Sequence, residues 1–123
     1  MKELKRDLLT AKYTRVFVEE NYQYNAPHLY AVVKAEYGVN GEPGEPLCDI
    51  HFQEGPIKEC GVNGVCNEDL INIVIDRLEH FQRSEFKCRE NALAITALEE
   101  ALLWMRKRTM SRKKRGVEGT HIV

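Results

Sequence analysis

Residues 67–115 read NEDLINIVIDRLEHFQRSEFKCRENALAITALEEALLWMRKRTMSRKKR, and the spacing within them decides the fold. Asn67 followed by Glu68 and Asp69 is a helix N-cap with acids in the first turn, where they oppose the positive dipole end. Leu70, Val74, Leu78 and Phe81 recur at steps of four, four and three, and Ile71 and Ile75 widen the stripe. Ser84 offers a cap for a second helix. Its stripe runs Asn91, Ile95, Leu98, Leu102 and Met105, with Ala94 and Leu103 beside it. Nothing breaks that pattern before Gly116, and the Lys/Arg run suits the negative end of the dipole. The first helix is about 17 residues or roughly 25 Å, the second about 27 residues or roughly 40 Å. A turn near residues 83–86 makes them an antiparallel hairpin whose second arm overhangs by about 15 Å. Leu102, Leu103, Trp104 and Met105 at the root of the overhang call for a covering surface, from a sheet or from another protomer.

Upstream the signals change to period two. Met1–Lys12 holds Leu4, Leu8 and Leu9 at helical spacing and reads as a short helix or a single turn. Thr14–Tyr24 and Leu29–Tyr37 are β-branched and aromatic, with turn chemistry at Asn25-Ala26-Pro27 between them. Gly38–Pro46 holds three Gly and two Pro and is a loop. Leu47–Glu54 alternates, with Cys48, Ile50 and Phe52 on the buried face. Gly55–Cys66 is loop-like, and its Gly61-Val62-Asn63-Gly64 repeats Gly38-Val39-Asn40-Gly41 as reused turn chemistry. The expectation is an α+β chain: a small N-terminal antiparallel β-sheet of about three strands, then a long antiparallel helical hairpin. It forms a single domain over residues 1–123, with the sheet part in 1–55 and the hairpin in 67–116.

The 123 residues carry 18 Lys and Arg against 19 Asp and Glu. That near-zero total hides two unlike regions. Seven of the ten residues Arg106–Arg115 are Lys or Arg, which leaves 11 basic against 19 acidic residues elsewhere, a balance of −8. The N-terminus lacks the apolar core of a signal peptide and no apolar run approaches the roughly 20 residues that span a bilayer. No membrane partner is expected, and the compartment is a cytosol with reduced thiols. Cys48, Cys60, Cys66 and Cys88 contain no CxxC pair, so neither a metal nor a cofactor is expected.

Three constellations could carry chemistry. Arg108, Arg112 and Arg115 lie at i, i+4 and i+7 on one face. They read as a phosphate clamp, since guanidinium forks match phosphate oxygens, or as a solvated helix end. Phe81 and Asn91 flank the hairpin tip. They offer a ring for a base to stack on and an amide to read its edge, or else a core Phe and a capping Asn. Asn91 and Arg108 are 17 residues apart, roughly 25 Å along one helix, so a mononucleotide or dinucleotide touching both sets must sit between two chains. A two-fold axis pairing antiparallel long helices then makes two equal sites. Cys88 with His80 or His121 lacks a third orienting group, so no catalytic residues are expected. Two readings compete with a small-ligand binder. One is a small nucleic-acid-binding protein using the basic helix end, which the −8 remainder opposes. The other is a hairpin that binds only protein.

Several long motifs resemble a family of short phage proteins. They are His51-Phe52-Gln53-Glu54-Gly55-Pro56-Ile57-Lys58-Glu59, Gly61-Val62-Asn63-Gly64-Val65 and Asn67-Glu68-Asp69-Leu70, then Cys88-Arg89-Glu90-Asn91-Ala92, Leu98-Glu99-Glu100-Ala101-Leu102 and Arg115-Gly116-Val117-Glu118-Gly119-Thr120-His121. The chain is similar over nearly its whole length to the phage Thoeris anti-defence protein one family, the cyclic-ADP-ribose sponges, whose hairpin is shared with phage anti-CBASS proteins. The resemblance implies a non-catalytic sponge in the host bacterial cytoplasm. It would bind glycocyclic ADP-ribose made by TIR-domain enzymes and hold it uncleaved, so that the Thoeris effector stays silent. It implies a ligand site shared by two protomers, falling on Phe81, Asn91, Arg108 and Arg112. It also implies a homo-oligomer, dimer or hexamer. A second site for CBASS cyclic di- and trinucleotides would fall on Arg89, Gly119 and Thr120. No DNA partner is implied. Ser111 stands where the resemblance leads one to expect an acid beside Arg112.

Overall fold

The computed structural model describes residues 1–38 and 41–123. Val39 and Asn40, the middle of the first copy of the repeated tetrapeptide, lie outside the described residues. The chain divides into two compact units, Met1–Gly55 with Cys60–Gly64, and Pro56–Glu59 with Val65–Val123.

The first unit is a four-stranded antiparallel meander in the order β1 (Lys2–Glu3), β2 (Thr14–Val18), β3 (Leu29–Lys34) and β4 (Pro46–His51). The expected strands begin within a residue of where they were read but stop three to six residues sooner, and there is one more of them. The extra strand corrects the expectation of a helix near the N-terminus. Lys2 pairs with Val18 and Glu3 with Phe17, and the Leu4 amide extends the ladder to the Val16 carbonyl at 2.8 Å. Three leucines are too few to repay helix nucleation. Leu8 is 95% exposed, whereas the β2 edge supplies ready backbone partners. Arg15 ties this edge together through Glu3 at 3.0 Å and the Tyr37 hydroxyl.

β2 and β3 run in register from Thr14 opposite Lys34 to Val18 opposite Tyr30. The turn between them takes left-handed backbone at Tyr24 and Asn25. Val18 and Val33 are buried, as is His28, whose Nε2 lies 2.6 Å from the Gln23 carbonyl oxygen. β4 is an edge strand. Ile50 and Phe52 are half-buried as its alternation predicts, and Phe52 meets Tyr30 edge-on at 5.6 Å, but Cys48 is exposed. Asn63 closes the following loop in place of another strand. Its amide donates to Gln53, its Nδ2 to the Glu54 carbonyl, and its Oδ1 accepts the Glu54 amide at 2.7 Å.

The second unit is the hairpin of α2 (Asn67–Gln82) and α3 (Arg89–Lys114), with residues 57–59 of the single turn α1 (Ile57–Cys60). The N-cap of α2 is Cys66, one residue before the expected Asn67, and the Asp69 carboxylate accepts the Cys66 amide at 2.8 Å. Burial pushes the Cys66 thiol above its ordinary pKa, and the Asp69 and Glu68 charges add to this, so it stays protonated and inert. Ser84 does not cap α3. Its hydroxyl donates to the Phe81 carbonyl and accepts the Phe86 amide, which builds the turn, and Cys88 is the N-cap. Gln82 closes the tip by donating to the Cys88 carbonyl and accepting its amide.

The inner stripe of α3 follows the expected residues, since Asn91, Ala94, Ile95, Leu98, Leu102 and Met105 are half-buried, while Leu103 is exposed. On α2 the stripe is rotated from the expected one. Ile75 is buried and Leu70, Ile71 and Leu78 half-buried, whereas Val74 and Phe81 are exposed. Gly116 ends α3 with a φ of 74°, its amide on the Lys113 carbonyl and the Val117 amide on the Arg112 carbonyl. That double return is a Schellman motif, which a residue with a Cβ adopts at a cost.

Candidate functional site

α2 spans about 24 Å and α3 about 39 Å, so roughly the last ten residues of α3 run past their partner helix. That overhang is the basic segment. No helix among the described residues is long and apolar enough to cross a membrane.

At the hairpin tip, Phe81 occupies the last turn of α2 and is 37% exposed, so it is not a core residue. The Arg77 guanidinium lies 5.3 Å from its ring centroid. Together with Ile73, Asp76, His80, Ser84 and Phe86 they line a shallow depression of about 610 Å³. That is within the range of small-ligand pockets. Asn91 is the third residue of α3, and since Cys88 is the cap, Asn91 has no capping role. Its side-chain amide makes no hydrogen bond among the described residues, though the residue is half-buried. The Gln82–Cys88 closure places these two residues at the same end of the hairpin.

The arginines lie at the other end. Arg108 is exposed, with no hydrogen bond or ion pair among the described residues. Arg112 is half-buried and engaged. Its Nη2 donates to the carbonyls of Val117 and Thr120 at 3.1 Å and of Ile122 at 2.7 Å. Arg115 is the C-cap of α3 and donates to the Val123 carbonyl. Where an acid was expected beside Arg112, backbone carbonyls therefore serve as its acceptors. Its Nη1 and Nε have no partner among the described residues and are not buried.

The segment after α3 is held from its other side by α1 and its surroundings. The Lys58 amide donates to the Gly119 carbonyl at 2.9 Å, and Lys58 Nζ is 3.5 Å from Glu118. Glu59 accepts the His121 amide at 2.8 Å and faces its Nδ1 at 2.9 Å. The His121 side chain, and then its amide, hold the Glu59 carboxyl below its ordinary pKa. Gly119 has a φ of 77°, and a Cβ there would sit 2.8 Å from the Lys58 side chain. The Thr120 hydroxyl donates to the Val117 carbonyl at 2.6 Å. Sequence reasoning passed over Lys58, Glu59 and His121 as parts of this arrangement. Their contacts span 62 residues of chain, and no local spacing signals them.

Within one chain the structure puts Phe81 and Asn91 at the tip end of the hairpin, though Asn91 does not line the Phe81 depression, and Arg108 and Arg112 at the other end. Arg89 begins α3 and is exposed, about 34 Å along the helix from Arg112, which holds the Thr120 carbonyl, so Arg89 does not meet Gly119 and Thr120 in one chain either. His80 Nδ1 lies 2.9 Å from the Asp76 carbonyl oxygen and His121 faces Glu59, while Cys88 contacts Gln82, so no Cys–His pair forms. All four cysteines are free, and no metal-holding cluster occurs among the described residues.

Two likenesses bear on this arrangement. Residues 45–110 match the family model described as the Acb2/Tad1 hairpin domain. That stretch includes Phe81, Arg89, Asn91 and Arg108 and ends short of Arg112. The chain is also 49% identical, along an alignment of 140 residues, to a protein named Thoeris anti-defense 1 from Bacillus phage SBSphiJ7, covering 98% of this chain and 99% of that protein.

Proposed function

The chain belongs to the Acb2/Tad1 hairpin family, and from that premise we propose that it is a phage anti-defence sponge. It binds glycocyclic ADP-ribose made by TIR-domain enzymes, keeps it uncleaved, and so silences Thoeris immunity in the cytoplasm of the host bacterium. By the same relationship it also takes up CBASS cyclic di- and trinucleotides, through Arg89, Gly119 and Thr120. The observation that carries the reading is the 49% identity along nearly the full length of a Thoeris anti-defense 1 protein.

The site we propose uses Phe81 and Asn91 of one protomer with Arg108 and Arg112 of its partner. Phe81 presents an exposed ring for the adenine, worth about 1–3 kcal/mol on stacking. Asn91 brings an amide with no internal partner to the base edge. Arg108, and the Nη1 and Nε of Arg112, donate to the pyrophosphate, at about 1.5–3 kcal/mol for each charge-assisted hydrogen bond. A sponge with nanomolar affinity needs about −12 kcal/mol, within reach of these groups when the pocket is formed in advance. The exposed Ile73, Val74, Leu103, Trp104 and Met110 leave apolar surface for the homo-oligomer that this site requires.

The test is chemical. Protein saturated with glycocyclic ADP-ribose, washed and heat-denatured, should release the ligand intact, and an equal mixture with cyclic tri-adenylate should retain both. Recovery of linear ADP-ribose would make the protein an enzyme, and failure to retain any ligand would sink the sponge.

A further inference from the structure

One nitrogen of Arg112, sharing its two hydrogens, reaches three carbonyls of the segment that follows its own helix. Residues 117–122 therefore curl around that guanidinium. On the other side, Lys58 and Glu59 grip the same segment through Gly119, Glu118 and His121. Arg112 and the 58–59 pair hold the strap between them, and Gly119 supplies the left-handed backbone at which it passes Lys58.

An arginine on an open helix end samples many rotamers and loses that freedom when it clamps a ligand. Arg112 has already lost much of it, because its Nη2 is fixed, while Nη1 and Nε stay available. We infer that the strap of residues 117–122 is a positioning device for Arg112, locked by the Glu59–His121 pair, and that it raises affinity for a phosphate-bearing ligand by presenting the guanidinium ready-aimed. Glu59 and His121 are then positioning residues that act through Arg112. The inference deepens the proposed function and rests on Arg112 being a ligand residue.

A double-mutant cycle on the full chain tests it, with glycocyclic ADP-ribose as the titrant. Glu59→Ala and His121→Ala should each weaken binding by about tenfold. Glu59→Gln, which keeps an oxygen to accept the His121 amide, should recover most of that. In an Arg112→Ala background, Glu59→Ala should cost nothing further, because there is no guanidinium left to aim. Equal loss in both backgrounds would mean a merely structural role and would overturn the inference. Unchanged or tighter binding by Glu59→Ala would overturn it too, since the strap would then be idle or a competitor for Arg112. A second arm needs no ligand. The Arg112 Nε–H should relax as an ordered group by NMR in the wild-type chain and as a mobile one in Glu59→Ala. If it is equally ordered in both, the strap does not position Arg112. Failure of the wild-type chain to bind the titrant would defeat the sponge reading, and the relaxation data would still decide the strap.

Discussion

The two halves of the proposed site lie at opposite ends of one straight helix, which allows a complementation experiment. Asn91 and Arg108 are 17 residues apart on α3, about 25 Å, so no nucleotide-sized ligand bridges them in one chain. Consider a tip variant, Phe81→Ala with Asn91→Ala, and an arginine variant, Arg108→Ala with Arg112→Ala. From the stacking and hydrogen-bond terms the tip variant should lose about 1.5–4.5 kcal/mol and the arginine variant about 3–6 kcal/mol, or at least about tenfold and a hundredfold in affinity. Each alone is then mostly empty at the lowest ligand concentrations that fill the wild type. In a mixed two-fold dimer, one site combines the damaged tip with the damaged arginines. The other combines the intact tip with the intact arginines. Random subunit exchange makes half the dimers mixed, each with one working site, so the mixture should recover about one quarter of wild-type capacity. Co-expression followed by equilibrium dialysis against glycocyclic ADP-ribose measures that capacity. A mixture as empty as its parents, alongside wild type carried through the same steps at full capacity, would refute the shared site. Binding by either parent at wild-type strength would show that its residues do not form the site.

Other consequences concern the scaffold. Ile75 is the buried side chain of α2, so Ile75→Ala should cost about 2–4 kcal/mol and lower the thermal midpoint by several degrees, whereas Val74→Ala on the exposed side should shift it little. Asn63→Ala removes side-chain hydrogen bonds to both backbone groups of Glu54 and should destabilise by about 2 kcal/mol in denaturant titration, an effect that an unchanged midpoint would disprove. The Glu59 carboxyl has a lower pKa folded than unfolded, so its stabilisation of the strap is complete above the ordinary Glu value near 4.3 and is lost as pH falls through the lowered value. In an NMR titration the His121 amide should move in that acidic window, and Glu59→Gln should abolish the movement.

The hairpin was legible because helical spacing leaves a period, and α2 and α3 run almost as that period predicts. The face of α2 was read less well. Leu70, Val74, Leu78 and Phe81 form as good a stripe as the one centred on Ile71 and Ile75, and hydrophobicity alone cannot choose between two adjacent apolar rows when a helix carries both. That surplus is informative in itself, because Val74 and Phe81 are left outside, and Phe81 is the proposed stacking platform. The first strand was hidden for the opposite reason. Lys2 and Glu3 have no strand propensity and pair because β2 offers an open edge. Phe81 and Asn91 were legible as types at a tip, and the structure removed the plainer roles of core Phe and capping Asn. The role of the last seven residues was not legible at all. Their partners Lys58 and Glu59 lie some 60 positions upstream, and contacts at that separation leave no periodic trace.

The charge pattern gains meaning from what the side chains do. Arg106, Lys107 and Arg108 follow one another at about 100° per residue, so they radiate around the helix instead of lining it. Arg108, Arg112 and Arg115 share one face, while Arg106 with Lys113 and Lys107 with Lys114 fall on two others; Arg112 donates to carbonyls of the strap and Arg115 to Val123 just beyond it. Lys107 lies 5.2 Å from the Trp104 ring centroid, with its charge over an aromatic face. A protein that follows a nucleic-acid backbone needs a row of unengaged cations, because each neutralised phosphate adds to affinity by releasing counterions. Here the shared face offers one free guanidinium, one that is half committed, and a third occupied at the helix end. That would serve the pyrophosphate of the single small ligand proposed for this site. The remaining balance of −8 would repel the flanking phosphates of a strand, whereas a ligand that ends after two phosphates presents none to repel.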